Sequence, residues 1–165
     1  MQVIQKITPC LWFNDQAEEA VEFYTAIFRN SRIVSVTRCG KAGHEIHGKP
    51  TGSVMTVIFE LDGQAFTALN GGPLFTFNEA ISFQVHCETQ EEVDYFGEKL
   101  SAGGDDRAQQ CGWLKDKYGV SWQVVPTVLL EMIHAPDAEK SQRAMEAMLH
   151  MKKIDIGMLK RAYAG

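Results

Sequence analysis

Two side chains in this sequence stand where they could do chemistry. His86 ends the segment ISFQVHC on the polar side of an alternating strand, and an ordinary imidazole pKa of about 6.5 suits general acid or base work. Its place at the strand end, before Cys87 and Glu88, also fits a surface hydrogen bond. Cys10, in ITPCLWF, would become a nucleophile if a neighbour lowered its pKa, whereas a thiol inside an apolar strand more often packs inertly. His44 and His47, in GHEIHG, have the i, i+3 spacing that can hold a metal on a helix. The flanking Gly43 and Gly48 favour a mobile, solvated hairpin instead. The four cysteines, Cys10, Cys39, Cys87 and Cys111, include no CxxC pair and read as thiols of a reducing compartment. LNGGP and SAGGDD are turns: neither matches GxGxxG between a strand and a helix, so no nucleotide cradle is expected.

The elements that must position these residues follow from periodicity. Ile7 to Phe13 alternates, with Ile7, Pro9, Leu11 and Phe13 on one face and Thr8, Cys10 and Trp12 on the other; the early proline places the strand near an edge. Asn14 or Asp15 can cap the next helix, in which Ala17, Ala20, Val21, Tyr24, Ile27 and Phe28 share one stripe. A short strand, SRIVSVTRC, precedes a glycine-rich turn region. The strands SVMTVIFELDG and QAFTALNGG then meet at Asp62 and Gly63, a strong hairpin signal.

After GGPLFTFNEA the order restarts: ISFQVHC is a strand, TQEEVDYFGEKLSAGG a capped amphipathic helix, and DDRAQQC, GWLKDKYG and VSWQVVP supply further short strands around the turn DKYG. EEAVEFY in the first helix matches EEVDYF in the second, so the chain reads as an internal repeat of two βαβββ modules. Module one spans about 1–75 and module two about 78–126, with a helical extension over about 127–165. In the extension Ala144, Met145, Met148 and Leu149 fall on one face, and Asp155 can cap a last helix. Its methionines read as packing residues.

Sixteen basic against 21 acidic residues give 165 residues a net charge of −5. That balance argues against a nucleic-acid partner, since the only dense basic cluster is Lys152, Lys153, Lys160 and Arg161. No apolar run approaches the ~18 residues of a membrane span, and MQVIQKITPC lacks the features of a secretory leader. A cytoplasmic protein without a membrane partner is expected.

The two modules, ITPCLWF followed by AEEAVEFY, the LNGGP turn, GWLKDKYGVSWQVVP and the late MKKID together resemble the PhnB-like proteins. These are also labelled the 3-demethylubiquinone-9 3-methyltransferase domain, within the glyoxalase and bleomycin-resistance (vicinal oxygen chelate) superfamily. The resemblance covers nearly the whole chain. It implies an α+β glyoxalase/bleomycin-resistance-like fold: a single domain over 1–165 in which two βαβββ modules form cupped mixed sheets, with helices outside and a C-terminal helical tail. The superfamily includes isomerases, lyases, dioxygenases, thiol transferases and drug-binding proteins, so fold alone does not assign activity. Its metal ligands carry over to Thr8 or Pro9, Thr67 or Ala68, Ser82 and Gln123. None is an imidazole or carboxylate, so neither a metal nor another cofactor is expected. A literal methyltransferase reading suffers because the glycine-rich loop and acidic ribose ligand of common S-adenosylmethionine sites are not visible.

Within that fold one strand face packs on a helix and the other lines the cup. Ile7, Leu11, Phe13, Ile81, Phe83 and Val85 form the expected helix-packing set. Thr8, Cys10, Trp12, Ser82, Gln84, His86 and Gln123, with Ser121 beside them, form the expected ligand-binding face. This set carries no Arg or Lys, and suits an uncharged or weakly acidic aromatic or quinone-like molecule. The protein is then either a metal-independent enzyme, with His86 or Cys10 as catalytic candidates, or a resistance-type protein that sequesters its ligand against Trp12 and Trp113. Open sheet edges and apolar faces predict a homodimer.

Overall fold

The structure is a computed structural model that describes residues 5–165. Those residues divide into two compact units, 5–76 and 77–165. In the first unit, strand β1 (Cys10–Phe13) leads into helix α1 (Ala17–Ile27), followed by β2 (Arg32–Arg38), a single helical turn α2 (His44–His47), β3 (Val54–Leu61) and β4 (Gln64–Asn70). The sheet order is β1-β4-β3-β2, with β1 parallel to β4 and the other pairs antiparallel.

Alternation decides which face of this sheet is buried. Leu11, Phe13, Val57, Phe59, Phe66 and Ala68 point to one side and are buried, as are Ala17, Ala20, Val21, Tyr24 and Ile27 of α1. The Tyr24 ring stacks near Phe59, which in turn stacks on Phe66. Each large apolar side chain so buried contributes about 1.5–3 kcal/mol. The β3–β4 hairpin turns through Asp62 and Gly63, both at positive φ (48° and 78°), as a type I′ turn requires.

Local differences from the sequence reading have physical causes. Strand β1 starts at Cys10, and Ile7 is 84% exposed ahead of it, because Pro9 cannot donate to a ladder. Neither Asn14 nor Asp15 caps α1. Gln16 holds that position without a side-chain bond, and Asn70 Oδ1, from the end of β4, accepts from Ala17 N at 2.8 Å. GHEIHG is not a hairpin: Gly43 and Gly48 take left-handed conformations at either end of α2.

In the second unit, β5 (Ser82–Cys87), α3 (Gln90–Ser101), β6 (Trp113–Lys115) and β7 (Ser121–Pro126) precede α4 (Thr127–Ile133), α5 (Ala138–Leu149) and α6 (Ile156–Ala164). The sheet has three strands in the order β5-β7-β6, with β5 parallel to β7. Where module one has its β2, module two has a 3-10 turn, Asp106–Ala108, and an isolated bridge between Gln110 and Trp113. Asp105 caps that turn by accepting from Arg107 N at 3.0 Å, and the neighbouring glycines and aspartates favour turns over extended pairing. Ile81 is 73% exposed before β5, so the helix-facing set is Val85 and Cys87, with Phe83 half-buried.

Helix α3 is capped by Thr89, whose side chain accepts from Glu92 N, and buries Val93 and Leu100 against the side of the sheet that bears Leu114, Trp122 and Val124. The stretch TVLLEMI is itself helical, and Leu129 and Met132 of α4 join Val125, Ala144, Met151, Ile154 and Leu159 in one core. Leu149, expected on the packing face of α5, is 54% exposed. Asp155 caps α6 by accepting from Met158 N at 2.8 Å, and Arg143 closes its far end by donating to the carbonyls of Ala162 and Tyr163.

Candidate functional site

The first sheet turns its less buried face away from α1. Cys10 is exposed there beside Thr67, and half-buried Trp12 stands beside Leu69. The indole is held on several sides. Its Nε1 donates to Gly72 O at 2.9 Å, the ring edge meets Phe75 at 4.9 Å between centroids, and Gly71 is pressed against the ring. Trp12 therefore offers a guest π surface but no donor. Phe75, 58% exposed, adds a second aromatic surface. Thr8 precedes the strand, half-buried, and its hydroxyl donates to Gln5 O at 3.5 Å.

Partial burial raises the Cys10 pKa, so the neutral thiol predominates at neutral pH, the wrong direction for a nucleophile. Burial, with Glu92 adding to it, pushes Cys87 up to about 12. In α2 the two rings of His44 and His47 lie 6.0 Å apart between centroids. His47 Nδ1 accepts from Lys49 N at 3.0 Å, and its Nε2 lies 3.3 Å from Ala42 O, which can only accept. Both ring nitrogens of His47 are thus engaged by the loop.

On the second sheet the register sorts the polar side chains into rows. Ser82 and Lys115 flank Ser121, Gln84 and Trp113 flank Gln123, and His86 lies beside Val125. Gln123 Nε2 donates to Ser82 Oγ at 2.8 Å, and Gln84 Nε2 donates to Gln123 Oε1 at 3.5 Å. These residues form a hydrogen-bonded band of neutral groups, and His86 is exposed at its end. Ser121 Oγ is buried and has no hydrogen-bond partner among the described residues. An unpaired buried hydroxyl costs about 1–3 kcal/mol.

The register also corrects the charge expected on this face. Lys115 belongs to it, opposite in parity to buried Leu114, and its Nζ lies 2.5 Å from Glu79 Oε1. That bond holds the Glu79 carboxyl below the usual carboxylate range. The pair leaves the face polar and without net charge. Behind the strands, buried Asp116 fixes the DKYG turn: Oδ1 accepts from Tyr118 N at 2.8 Å and Val120 N at 3.0 Å, and Oδ2 accepts from the Trp122 indole at 2.9 Å.

The donor set at the transferred metal positions does not fit a transition metal. Ser82 and Gln123 are neutral and bound to each other, and Thr8, Thr67 and Ala68 offer hydroxyls or nothing. Among the described residues no group of three or more His, Cys, Asp or Glu side chains is placed to hold a metal ion, and no helix is long and apolar enough to cross a membrane. Neither sheet is the all-parallel, doubly wound type that binds S-adenosylmethionine in common methyltransferases.

Comparison with known proteins agrees with this architecture. The sequence profile of the 3-demethylubiquinone-9 3-methyltransferase family matches residues 5–125. A solved structure from Bacillus cereus, described as a putative 3-demethylubiquinone-9 3-methyltransferase, PhnB protein, is 40% identical, with a TM-score of 0.63 over 74% of this chain and 100% of that one. A protein from Pseudomonas aeruginosa shares 18% identity and a TM-score of 0.58 over 74% of this chain and 98% of its own. The fosfomycin resistance protein FosX of Listeria monocytogenes shares 18% identity and a TM-score of 0.50 over 79% of this chain and 97% of its own. The last two likenesses show the fold alone. No curated protein matches the chain. With a profile match across both modules, this chain belongs to the PhnB-like, 3-demethylubiquinone-9 3-methyltransferase domain family.

Proposed function

We propose that the protein binds a small aromatic or quinone-like molecule, uncharged or weakly acidic, through the polar faces of its sheets. The observation that supports this most is the row Ser82–Ser121–Lys115. There a buried hydroxyl has no partner among the described residues, beside hydrogen-bonded Gln123 and a cation already neutralised by Glu79. A ligand hydroxyl or carbonyl would satisfy such a face, while a phosphate would meet no spare positive charge. On the first sheet Trp12 and Cys10, with Phe75 against the indole edge and Thr8 ahead of the strand, offer aromatic and soft contacts; on the second sheet Gln84 and His86 extend the polar row. The raised Cys10 pKa favours binding over nucleophilic catalysis. The active species is proposed to be a cytoplasmic homodimer in which exposed apolar residues such as Ile33, Val36 and Ile58 are covered by a second chain. A thermal-shift screen of quinones, phenols and sugar phosphates on wild type, Trp12→Ala and Gln123→Ala tests the ligand class. Stabilisation by phosphorylated compounds alone, or aromatic binding indifferent to both substitutions, would overturn it. Light scattering that finds only an 18.4 kDa species at micromolar concentration would remove the dimer.

A further inference from the structure

A cavity of about 560 Å³ lies on the other side of the second sheet, between α3, the β6–β7 strands and the segment 152–154. Its floor is apolar: Val93, Leu114, Val124 and Ile154 are all buried. Gly97, in the middle of α3, leaves the space open, because a Cβ there would find nothing nearer than Lys153 Cδ at 3.8 Å. The closing segment is pinned by backbone. Cys111 N donates to Met151 O and Gly112 N to Lys152 O, each at 2.8 Å. Gln90 donates through Nε2 to Ile154 O at 3.1 Å and accepts through Oε1 from Ile156 N at 2.8 Å. Gly112 makes the close approach possible, since at φ 83° a side chain there would press within 2.8 Å of Val124 O. The cavity is therefore preformed, and its size falls in the range of ordinary ligand sites.

Its charges are of both signs and only half of them are spent. Lys153 is paired with Asp94 at 2.6 Å. Lys152 and Glu98 line the same cavity, and neither side chain has an ion pair among the described residues. A simple anion would meet Glu98, and a simple cation would meet Lys152. A molecule with one charge of each sign and an apolar body satisfies both. We propose that this cavity is a second ligand site, for a zwitterion with a bulky apolar group, of the class of aromatic amino acids and apolar dipeptides. It is separate from the face bearing Ser82 and Gln123, and its closing segment lies beyond residue 125, where the family match ends.

The test is calorimetric titration of the full chain with L-tryptophan and leucyl-phenylalanine, against octanoate and octylamine as singly charged controls. The zwitterions should bind and the controls should bind at least tenfold more weakly. Lys152→Gln and Glu98→Gln should each weaken zwitterion binding by about tenfold. Gly97→Leu places a good helix former where its Cβ fits, so it should keep the circular dichroism spectrum and melting temperature while abolishing binding. Equal or tighter binding of either control would overturn the proposal. So would undiminished binding by folded Gly97→Leu, or no heat from either zwitterion at millimolar concentration. The phenol and quinone response, and its loss in Trp12→Ala, should be the same with and without these variants, which separates failure here from failure of the first site.

Discussion

Gly71 lies under the indole of Trp12, so close that a Cβ on Gly71 would stand 2.2 Å from Cε2 and 2.3 Å from Cζ2 of the ring. The contact explains why the turn LNGGP needs glycine at its third residue although its φ is not in the left-handed region. Gly71 N also donates to Phe13 O at 2.9 Å, so the backbone cannot easily retreat. Gly71→Ala should expel the indole from its seat, break the bond to Gly72 O, and cost about 1–3 kcal/mol through overpacking. The check is urea unfolding with tryptophan fluorescence. A variant with unchanged midpoint and emission maximum would show that the loop yields instead.

Asp116 holds the other turn that the sequence advertises. Removing its carboxylate leaves two backbone N–H groups and the Trp122 indole without their acceptor in a buried place. Hydrogen bonds to a charged group contribute about 1.5–3 kcal/mol, and Asp116→Ala should lose at least that much. Near-ultraviolet circular dichroism should lose the Trp122 contribution while far-ultraviolet signal persists below the new melting temperature. A melting temperature equal to wild type would refute the role.

Local signals were legible in the sequence and long-range ones were not. The Asp62–Gly63 hairpin, the α1 stripe from Ala17 to Ile27 and the Asp155 cap each depend on residues a few positions apart, which a single chain displays directly. The Asn70 cap of α1 does not: it joins positions 53 residues apart, and Asn70 reads by itself as a turn former. Lys115 was missed because β6 is three residues long, too short for alternation to reveal a face. The isolation of Ser121 Oγ depends on what neighbouring strands fail to offer, a property no sequence window contains. The parity of Trp12, Ser82, Gln84 and Gln123 was readable because each lies in or beside a longer alternating strand.

The Asp94–Lys153 pair ties α3 to the segment before α6 and should make stability depend on acid pH. The hydrogen bond from Lys153, with Gln90 adding a second, lowers the Asp94 pKa below its model-peptide value of 3.8. A carboxylate whose folded pKa is depressed contributes stability that is fully present above the unfolded value and is lost as pH falls through the folded one. The melting-temperature gap between wild type and Lys153→Met should therefore be constant from neutral pH down to about pH 5 and close in stronger acid. A gap that persists unchanged at pH 2 would assign it to packing of the lysine stem.

The donor chemistry at Thr8, Ser82 and Gln123 predicts that purified protein holds no stoichiometric divalent metal. Neutral hydroxyls and amides do not compensate for dehydrating zinc, manganese or iron. Elemental analysis should give well under one metal per chain, and treatment with a chelator should leave the melting temperature unmoved. About one bound metal per chain would overturn the ligand assignment for both sheets.

Neutrality of the second sheet's polar face rests on Glu79, and this can be reversed by one substitution. Lys115 is three-quarters buried on the side-chain measure, while Glu79 is 62% exposed, so the cation is part of the face and the anion is its solvent-side partner. Glu79→Gln leaves the ammonium beside Ser121 without its counter-charge. Binding of benzoate or 4-hydroxybenzoate should then tighten by about two- to fivefold, the range of an exposed ion pair, and the gain should fade as salt is raised. Binding of phenol or benzoquinone should not change, because neither brings a full charge to the face. Adding Lys115→Met to Glu79→Gln should cancel the gain for the acids. If Glu79→Gln leaves benzoate binding unaltered at low salt, or if the double variant keeps the gain, then Lys115 does not face the ligand and the polar row on β6 and β7 is structural.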